Sequence, residues 1–376
     1  MPTLIVVLPD LVAGDESQSV LLGDHPVLSQ LAEQSQIVGL LPVGNLETPE
    51  ACYLGMSPDE GQMRPGPLMV AALGEDPPPR STHFLVSVLG MEGELLKSPE
   101  ALPDPAEFRQ LTDLFRLLNT KSLTLLKGED LDHALVWEGI GDIYTVPAAD
   151  ATGKPIAESL PKGDLESALR RLIDDSVNVL MGAEFNRIRA EEGRTPLLVL
   201  WPWGHGIRYP LPNLALRRGG PVMVQSESFR MAGLARLLGY RPGDHRRYRS
   251  GLNLDWPALA KSPPGPMPFV LVASAPSTLR AEGRLEELEW FLNRFENEYL
   301  APMLEWASDR EAAGEHLTIG IVTPSAERGG LALWYETRTP PMRPLPFDER
   351  TLEERGLTHR NTHELMATLL TRTPQI

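Results

Sequence analysis

The sequence predicts an α/β protein with a doubly wound, mostly parallel sheet flanked by helices and a smaller α/β domain inserted into it. Three observations carry this: short runs apolar at every position, helical patterns between them, and proline-rich breaks that divide the 376 residues. A run apolar throughout, rather than at alternate positions, marks a strand covered on both faces, as parallel sheets require. Strands alternating with helices give a doubly wound sheet, whose ligands bind beyond the carboxyl ends of the strands.

The first run, residues 4–8, is closed by Pro9 and Asp10, which places Asp10 at a strand's carboxyl end. Residues 26–32 read as a helix and 37–41 as a second strand, giving a βαβ opening. Buried-strand runs recur at 197–200, 221–224, 269–272 and 317–322. Proline and charge clusters at 75–80, 150–161 and 261–268 suggest boundaries. The expected division is a core of 1–76 with 222–376, and an inserted domain of 77–221.

Composition narrows the function classes. Hydrophobic residues at 42% and charged residues at 23% are near globular averages, so neither disorder nor a membrane class is indicated. A net charge of -16 repels nucleic acid and anionic membranes, so neither is expected as a partner. The single cysteine, Cys52, excludes an intrachain disulfide framework and multi-thiolate zinc sites, and points to a reducing, cytoplasmic compartment. The N-terminus lacks a basic region and meets Pro9 too early for a signal peptide. Thirty-six prolines imply many short elements and rigid connections.

No phosphate-loop, dinucleotide, nucleophile-elbow or zincin motif is present. Three weaker constellations remain. His359 and His363 stand at i,i+4 spacing and could share a metal, or be solvated near a helix start. The stretch 241–249 holds four arginines with His245 and Tyr248, and reads as a phosphate site or a solvated basic loop. Asn186 and Arg189 fall on a helix before a strand that runs into Trp203-Gly204-His205-Gly206; such residues can bind an anion while glycines admit it to the backbone. The alternative for Arg189 is a pairing with Glu191, Glu192 or another surface acid.

At this third constellation the chain resembles the archaeal-type, cofactor-independent phosphoglycerate mutases of the alkaline phosphatase superfamily. The resemblance rests on residues 186–196, the Trp-Gly-x-Gly turn at 203–206, Leu211-Pro212 and the helix at 233–239. It extends to Pro9-Asp10, to Leu54-Gly55-Met56-Ser57-Pro58, to Gly66-Pro67 with Leu73-Gly74, and to Gly356-Leu357 with residues 363–366. It implies an alkaline-phosphatase-like, mixed but mostly parallel sheet. It also implies a family that uses two divalent metals such as Mn or Mg and a serine nucleophile, because phosphoryl transfer needs charge neutralised on attacking and leaving oxygens.

Against that pattern the site positions diverge. Asp10 matches a first metal ligand, as a remnant, but the Gly-Ser-Asp nucleophile motif falls on Asn45-Leu46-Glu47. A strand-end Asp and His are replaced within 275–283 by Thr278 and Glu282, and Thr-Pro-Asp-His by Thr323-Pro324-Ser325-Ala326. Leu85-Val86-Ser87 stands for Arg-x-Asn, and Ala148-Ala149-Asp150 for Pro-His-Asp. The resulting expectation is a mutase-like pseudoenzyme with no intact catalytic set and no cofactor, which binds a small anion or a protein partner. Asn186, Arg189, Gly204, Gly206 and Arg208 are its expected binding residues, for a small phosphorylated or acidic ligand. The alternative is an active mutase or a related phosphotransferase or hydrolase.

Overall fold

The structure is a computed structural model that describes residues 2–13, 18–44, 46, 48–61, 63–76, 79–208, 210–244, 248–250, 253–337 and 345–371. The principal strands in chain order begin with β1 (Thr3–Val7), β2 (Gln36–Leu40), β3 (Thr82–Glu92), β4 (Leu95–Lys97), β5 (Leu123–Glu129), β6 (Asp132–Trp137) and β7 (Val199–Ile207). They continue with β8 (Met223–Ser226), β9 (Arg241–Pro242), β10 (Phe269–Val272), β11 (Thr318–Thr323), β12 (Gly330–Glu336) and β13 (His359–Arg360). The helices that matter are α1 (Pro26–Glu33), α2 (Pro65–Ala72), α3 (Pro105–Asp113), α4 (Glu166–Met181) and α5 (Glu184–Glu191). After them come α6 (Ala275–Ala281), α7 (Leu285–Phe295), α8 (Ala301–Ala312) and α9 (Thr362–Thr371).

The chain forms two compact units, Met1–Gln62 with Leu211–Ile376, and Met63–Pro210. The first holds an eight-stranded sheet in the order β9-β8-β10-β1-β11-β12-β2-β13. From β9 through β11 every pair is parallel, and β12 pairs antiparallel with both β11 and β2. All five residues of β1 are buried, the outcome its unbroken apolar run requires at the centre of such a sheet. Leu4 and Val6 share a core with Leu288, Phe291, Leu292 and Phe295 of α7, and Trp256 packs edge-on against Phe291 and Phe295. Each such fully buried side chain contributes about 1.5–3 kcal/mol.

The βαβ opening differs from the simplest expectation. β2 runs in the same direction as β1 but lies three places away, because the β11–β12 hairpin is inserted between them. Gly330 permits that hairpin: a Cβ there would stand 1.7 Å from the carbonyl oxygen of Thr323.

The second unit has an antiparallel sheet, β4-β3-β6-β5, with β7 on β3. Phe84, Val86 and Val88 of β3 pack with Leu111, Phe115, Leu169 and Leu172 on its helical side. Buried along nearly its whole length, α2 lies against β3 and β7. A Cβ on Gly66 would come within 2.2 Å of the His83 carbonyl oxygen. For this reason the unit starts at Met63 and ends at Pro210, rather than at the proline cluster near 77 and the strand near 221. Among the described residues no helix is long and apolar enough to cross a membrane.

Candidate functional site

Where parallel strands end, successive loops diverge and leave a crevice. Here that edge is formed by β8, β10, β1 and β11. After β1 the chain passes through Leu8 and Pro9 to Asp10, which has a left-handed φ of 55°. Asp is among the few side chains that enter this region readily, and such backbones persist where surrounding bonds over-determine them. The Asp10 amide donates to the Pro324 carbonyl at 2.8 Å, and Arg280 Nε donates to the Asp10 carbonyl at 2.5 Å. Its carboxylate Oδ2 accepts the Ser277 hydroxyl at 2.7 Å.

Ser277 and Arg280 both come from α6, which starts directly after β10, so one short helix delivers a hydroxyl and a guanidinium to Asp10. Arg280 also donates to the carbonyls of Leu11 at 2.7 Å and Gln18 at 3.2 Å, fastening that loop. Burial pulls its pKa below the ordinary arginine value, while Glu349 and Asp10 oppose the shift. Glu227, just past β8, accepts the backbone amides of Ser274 and Ala275 at 2.5 and 3.2 Å. Burial pushes its carboxyl above the usual range, with those amides acting in the other direction.

A pocket of about 370 Å³ opens beside these groups, lined among others by Asp10, Gln18, Ser277, Arg280, Ser325 and Arg328. Its lining sets two guanidiniums, of Arg280 and Arg328, beside the carboxylates of Asp10 and Glu327 and the hydroxyls of Ser277 and Ser325. The Ser277 hydroxyl can donate or accept, and the Arg280 guanidinium keeps N–H groups beyond the three already used. Arg328 adds a second guanidinium, suited to carboxylate or phosphate. Of these residues the sequence reading singled out only Asp10 and Ser325. Pro276-Ser277 immediately after a buried run was the available signal for the rest, since a strand-to-helix turn in a parallel sheet delivers its first helical residues to the ligand edge.

The other predicted binding residues lie in the second unit and are committed elsewhere. Arg189 is 0% exposed; its Nη1 pairs with Glu107 Oε2 at 2.9 Å, Nη2 donates to the Ala101 carbonyl at 2.9 Å, and Nε to the Thr195 carbonyl at 2.9 Å. Asn186 donates to the carbonyls of Leu180 and Leu197 at 2.9 and 2.8 Å and accepts the Leu197 amide at 2.7 Å. These two residues therefore fasten α5 to its surroundings instead of presenting a free anion site. Glu107, not Glu191 or Glu192, is the acid that Arg189 meets.

Gly204 and Gly206 serve packing too. A Cβ on Gly204 would sit 2.9 Å from Pro65, and one on Gly206 3.2 Å from Arg64 and Pro67, so both let α2 lie close on β7. Arg208 makes an exposed ion pair with Asp76 at 2.9 Å. The histidine pair also separates: His359 is on β13, its Nδ1 3.1 Å from the Leu357 carbonyl, while His363 is in α9, so no shared helix face aims both at one ion. Thr278 lies on α6, and Glu282 at its end pairs with Arg284 at 2.7 Å. Asn45, Glu47 and the basic residues His245, Arg246 and Arg247 lie outside the described residues.

No family model matches the chain. It is 30% identical over 165 residues to a probable 2,3-bisphosphoglycerate-independent phosphoglycerate mutase of Geobacter sulfurreducens, a match spanning 42% of this chain and only 39% of that protein. It is 24% identical over 307 residues to 2,3-bisphosphoglycerate-independent phosphoglycerate mutase 2 of Methanothermobacter thermautotrophicus, covering 77% of this chain and 75% of the other. Among solved structures, the PH0037 protein of Pyrococcus horikoshii superposes with a TM-score of 0.70 at 17% identity, over 100% of this chain and 98% of that one. The cofactor-independent phosphoglycerate mutase of Thermoplasma acidophilum gives 0.56 at 17% identity, over 98% and 100%. The fold is thus that of the cofactor-independent phosphoglycerate mutases. The chain is a homologue of the archaeal-type, 2,3-bisphosphoglycerate-independent enzymes, and so a phosphoglycerate mutase-like protein.

These relatives correct the expectation that no cofactor is used, because they come from the family for which two divalent metals are implied. The described residues by themselves do not assemble the donors for such a pair. Among them no group of three or more His, Cys, Asp and Glu could hold a metal ion, and the Asp10 carboxylate accepts the Ser277 hydroxyl.

Proposed function

We propose that this phosphoglycerate mutase-like chain binds a small phosphorylated or acidic ligand in the pocket at the strand ends, without turning it over as a mutase does. The observation that carries the reading is the Asp10–Ser277–Arg280 cluster at the carboxyl edge of β1 and β10. In the family pattern that edge is where a phosphoryl group is received. Here the carboxylate is engaged by a hydroxyl, and Arg280 is tied to three backbone carbonyls. Ser325 and Ala326, just past β11, bring no ionisable side chain to the pocket, and Glu327 and Arg328 after them bring one charge of each sign. Arg280 and Arg328 supply positive charge for an anion, and Ser277 a hydroxyl that can turn from Asp10 to the ligand.

The test combines a titration with an assay. Calorimetry with 2- and 3-phosphoglycerate is expected to give binding to one site per chain. An assay of their interconversion with Mn or Mg supplied is expected to give no turnover. Mutase activity proportional to enzyme concentration would overturn the reading in favour of an active mutase, and absence of binding would remove the ligand.

A further inference from the structure

On the far side of the loop that contributes Gln18 to the pocket lies a buried charged pair. His25, 6% exposed, immediately precedes α1. Its Nδ1 is 3.0 Å from Glu296 Oε2 and its Nε2 is 2.8 Å from the Val20 carbonyl oxygen. Neither partner has a hydrogen to give when Glu296 is ionised, so both ring nitrogens must donate. Only the imidazolium can do so.

Glu296 is 1% exposed and opens a five-residue π-helical turn, Glu296–Leu300, between α7 and α8. Such turns are rare, usually single, and frequent at functional positions. This one sends the Glu296 carboxylate to α1. There Oε1 accepts the amides of Val27 at 2.6 Å and Leu28 at 2.9 Å, two of the donors that a helix start leaves without intrahelical partners. Between Val20 and the pocket, Ser19 links the two regions: its hydroxyl donates to Glu349 and accepts the amides of Leu21 and Leu22.

We propose that His25 and Glu296 form a protonation-dependent latch that holds residues 18–28, and with them the Gln18 wall of the strand-end pocket. The groups around His25 are Glu296 from the π-helical turn, Glu289 from α7, and Asp348 and Arg350 across a small cavity of about 170 Å³. Burial opposes the imidazolium. The bonds to Glu296 and Val20 and the charges of Glu296 and Glu289 outweigh it, so the His25 pKa is raised. Burial likewise opposes the Glu296 carboxylate, but the His25 bond, the His25 charge and the α1 amides depress its pKa.

The signs define a window. The contribution of a raised imidazole is fully present below its ordinary value of about 6.5 and is lost as pH rises through the folded value. The contribution of a depressed carboxyl is present above its ordinary value and lost as pH falls through the folded value. The latch is closed between the two folded values and opens on either side.

Amide hydrogen exchange on the full chain, followed by NMR across pH, tests this without any ligand. The His25 midpoint should lie above the ordinary value of about 6.5, with both ring nitrogens protonated below it. Above the His25 midpoint, protection of the Leu21, Leu22, Val27 and Leu28 amides, corrected for intrinsic rates, should fall by about tenfold or more, as a local opening does. In His25→Gln, which cannot titrate, protection should no longer change across that interval. In Glu296→Gln the His25 midpoint should move down, a readout that serves equally if His25→Gln does not fold. A His25 midpoint at or below the ordinary value, an unchanged midpoint in Glu296→Gln, or the same pH dependence in His25→Gln would each overturn the latch.

Discussion

Two arginine–carboxylate clusters, one in each unit, have opposite characters. In the inserted unit Glu107 is held by Arg189 and Arg194 at 2.9 and 2.8 Å while capping α3, and Arg189 has no exposed surface. At the strand ends of the larger unit Arg280 and Asp10 are half-buried and share a pocket with Ser277 and Arg328. Arg189 and Arg280 each donate three bonds to the protein, and they differ in access: the first guanidinium is sealed from solvent, whereas the second borders a pocket. A sequence motif kept intact therefore marks, in this chain, the cluster that builds the fold, while the cluster suited to a ligand sits where the family pattern is most altered.

Breaking the closed cluster should cost most. Arg189→Met leaves the buried Glu107 with Arg194 as its remaining charged partner beside the Asp104 amide, and chemical unfolding should register a loss of about 3 kcal/mol or more. A loss below about 1 kcal/mol would mean that the network is not structural. Next comes the packing of α2 on its sheet: Gly66→Ala sets a methyl against the His83 carbonyl, and should destabilise by about 1–3 kcal/mol in the same experiment. No loss would show that the helix can shift freely and would undercut the boundary at Met63.

Smaller effects sharpen the contrast on the open side. Arg280→Ala removes three bonds from a half-buried guanidinium to the loop carbonyls, and is expected to cost about 1–2 kcal/mol while raising amide exchange in residues 18–22. Unchanged exchange there would separate Arg280 from the loop. Arg208→Ala breaks only an exposed pair with Asp76 and should change stability by less than about 0.5 kcal/mol. A larger change would assign Arg208 a structural part that its exposure does not explain.

Much of the fold was legible because its signals are local. An unbroken apolar run such as residues 4–8 can only be a doubly covered strand, and Pro9-Asp10 ends it where the sheet ends. β12 was missed because its pairing depends on a glycine hairpin and an antiparallel return, neither of which a parallel alternation suggests. The partners of Asn186 and Arg189 are not legible locally for a physical reason too: an Asn and an Arg near glycines have the same spacing whether they face a ligand or a neighbouring carbonyl. Glu107 lies 82 residues from Arg189, so nothing in the local sequence announced the partner. Ser277 and Arg280 were passed over because hydroxyl and guanidinium on a short helix become a site only once β10 lies beside β1.

We propose ligand binding at the strand ends of the larger unit. Calorimetric titration of 3-phosphoglycerate into the parent protein, Arg328→Ala and Arg208→Ala tests it most directly. Arg328 lines the pocket, and losing one charged hydrogen bond of about 1.5–3 kcal/mol should weaken affinity by roughly ten- to a hundredfold. Arg208→Ala should bind as the parent does. No binding to the parent, or an equal loss in both variants, would contradict the assignment.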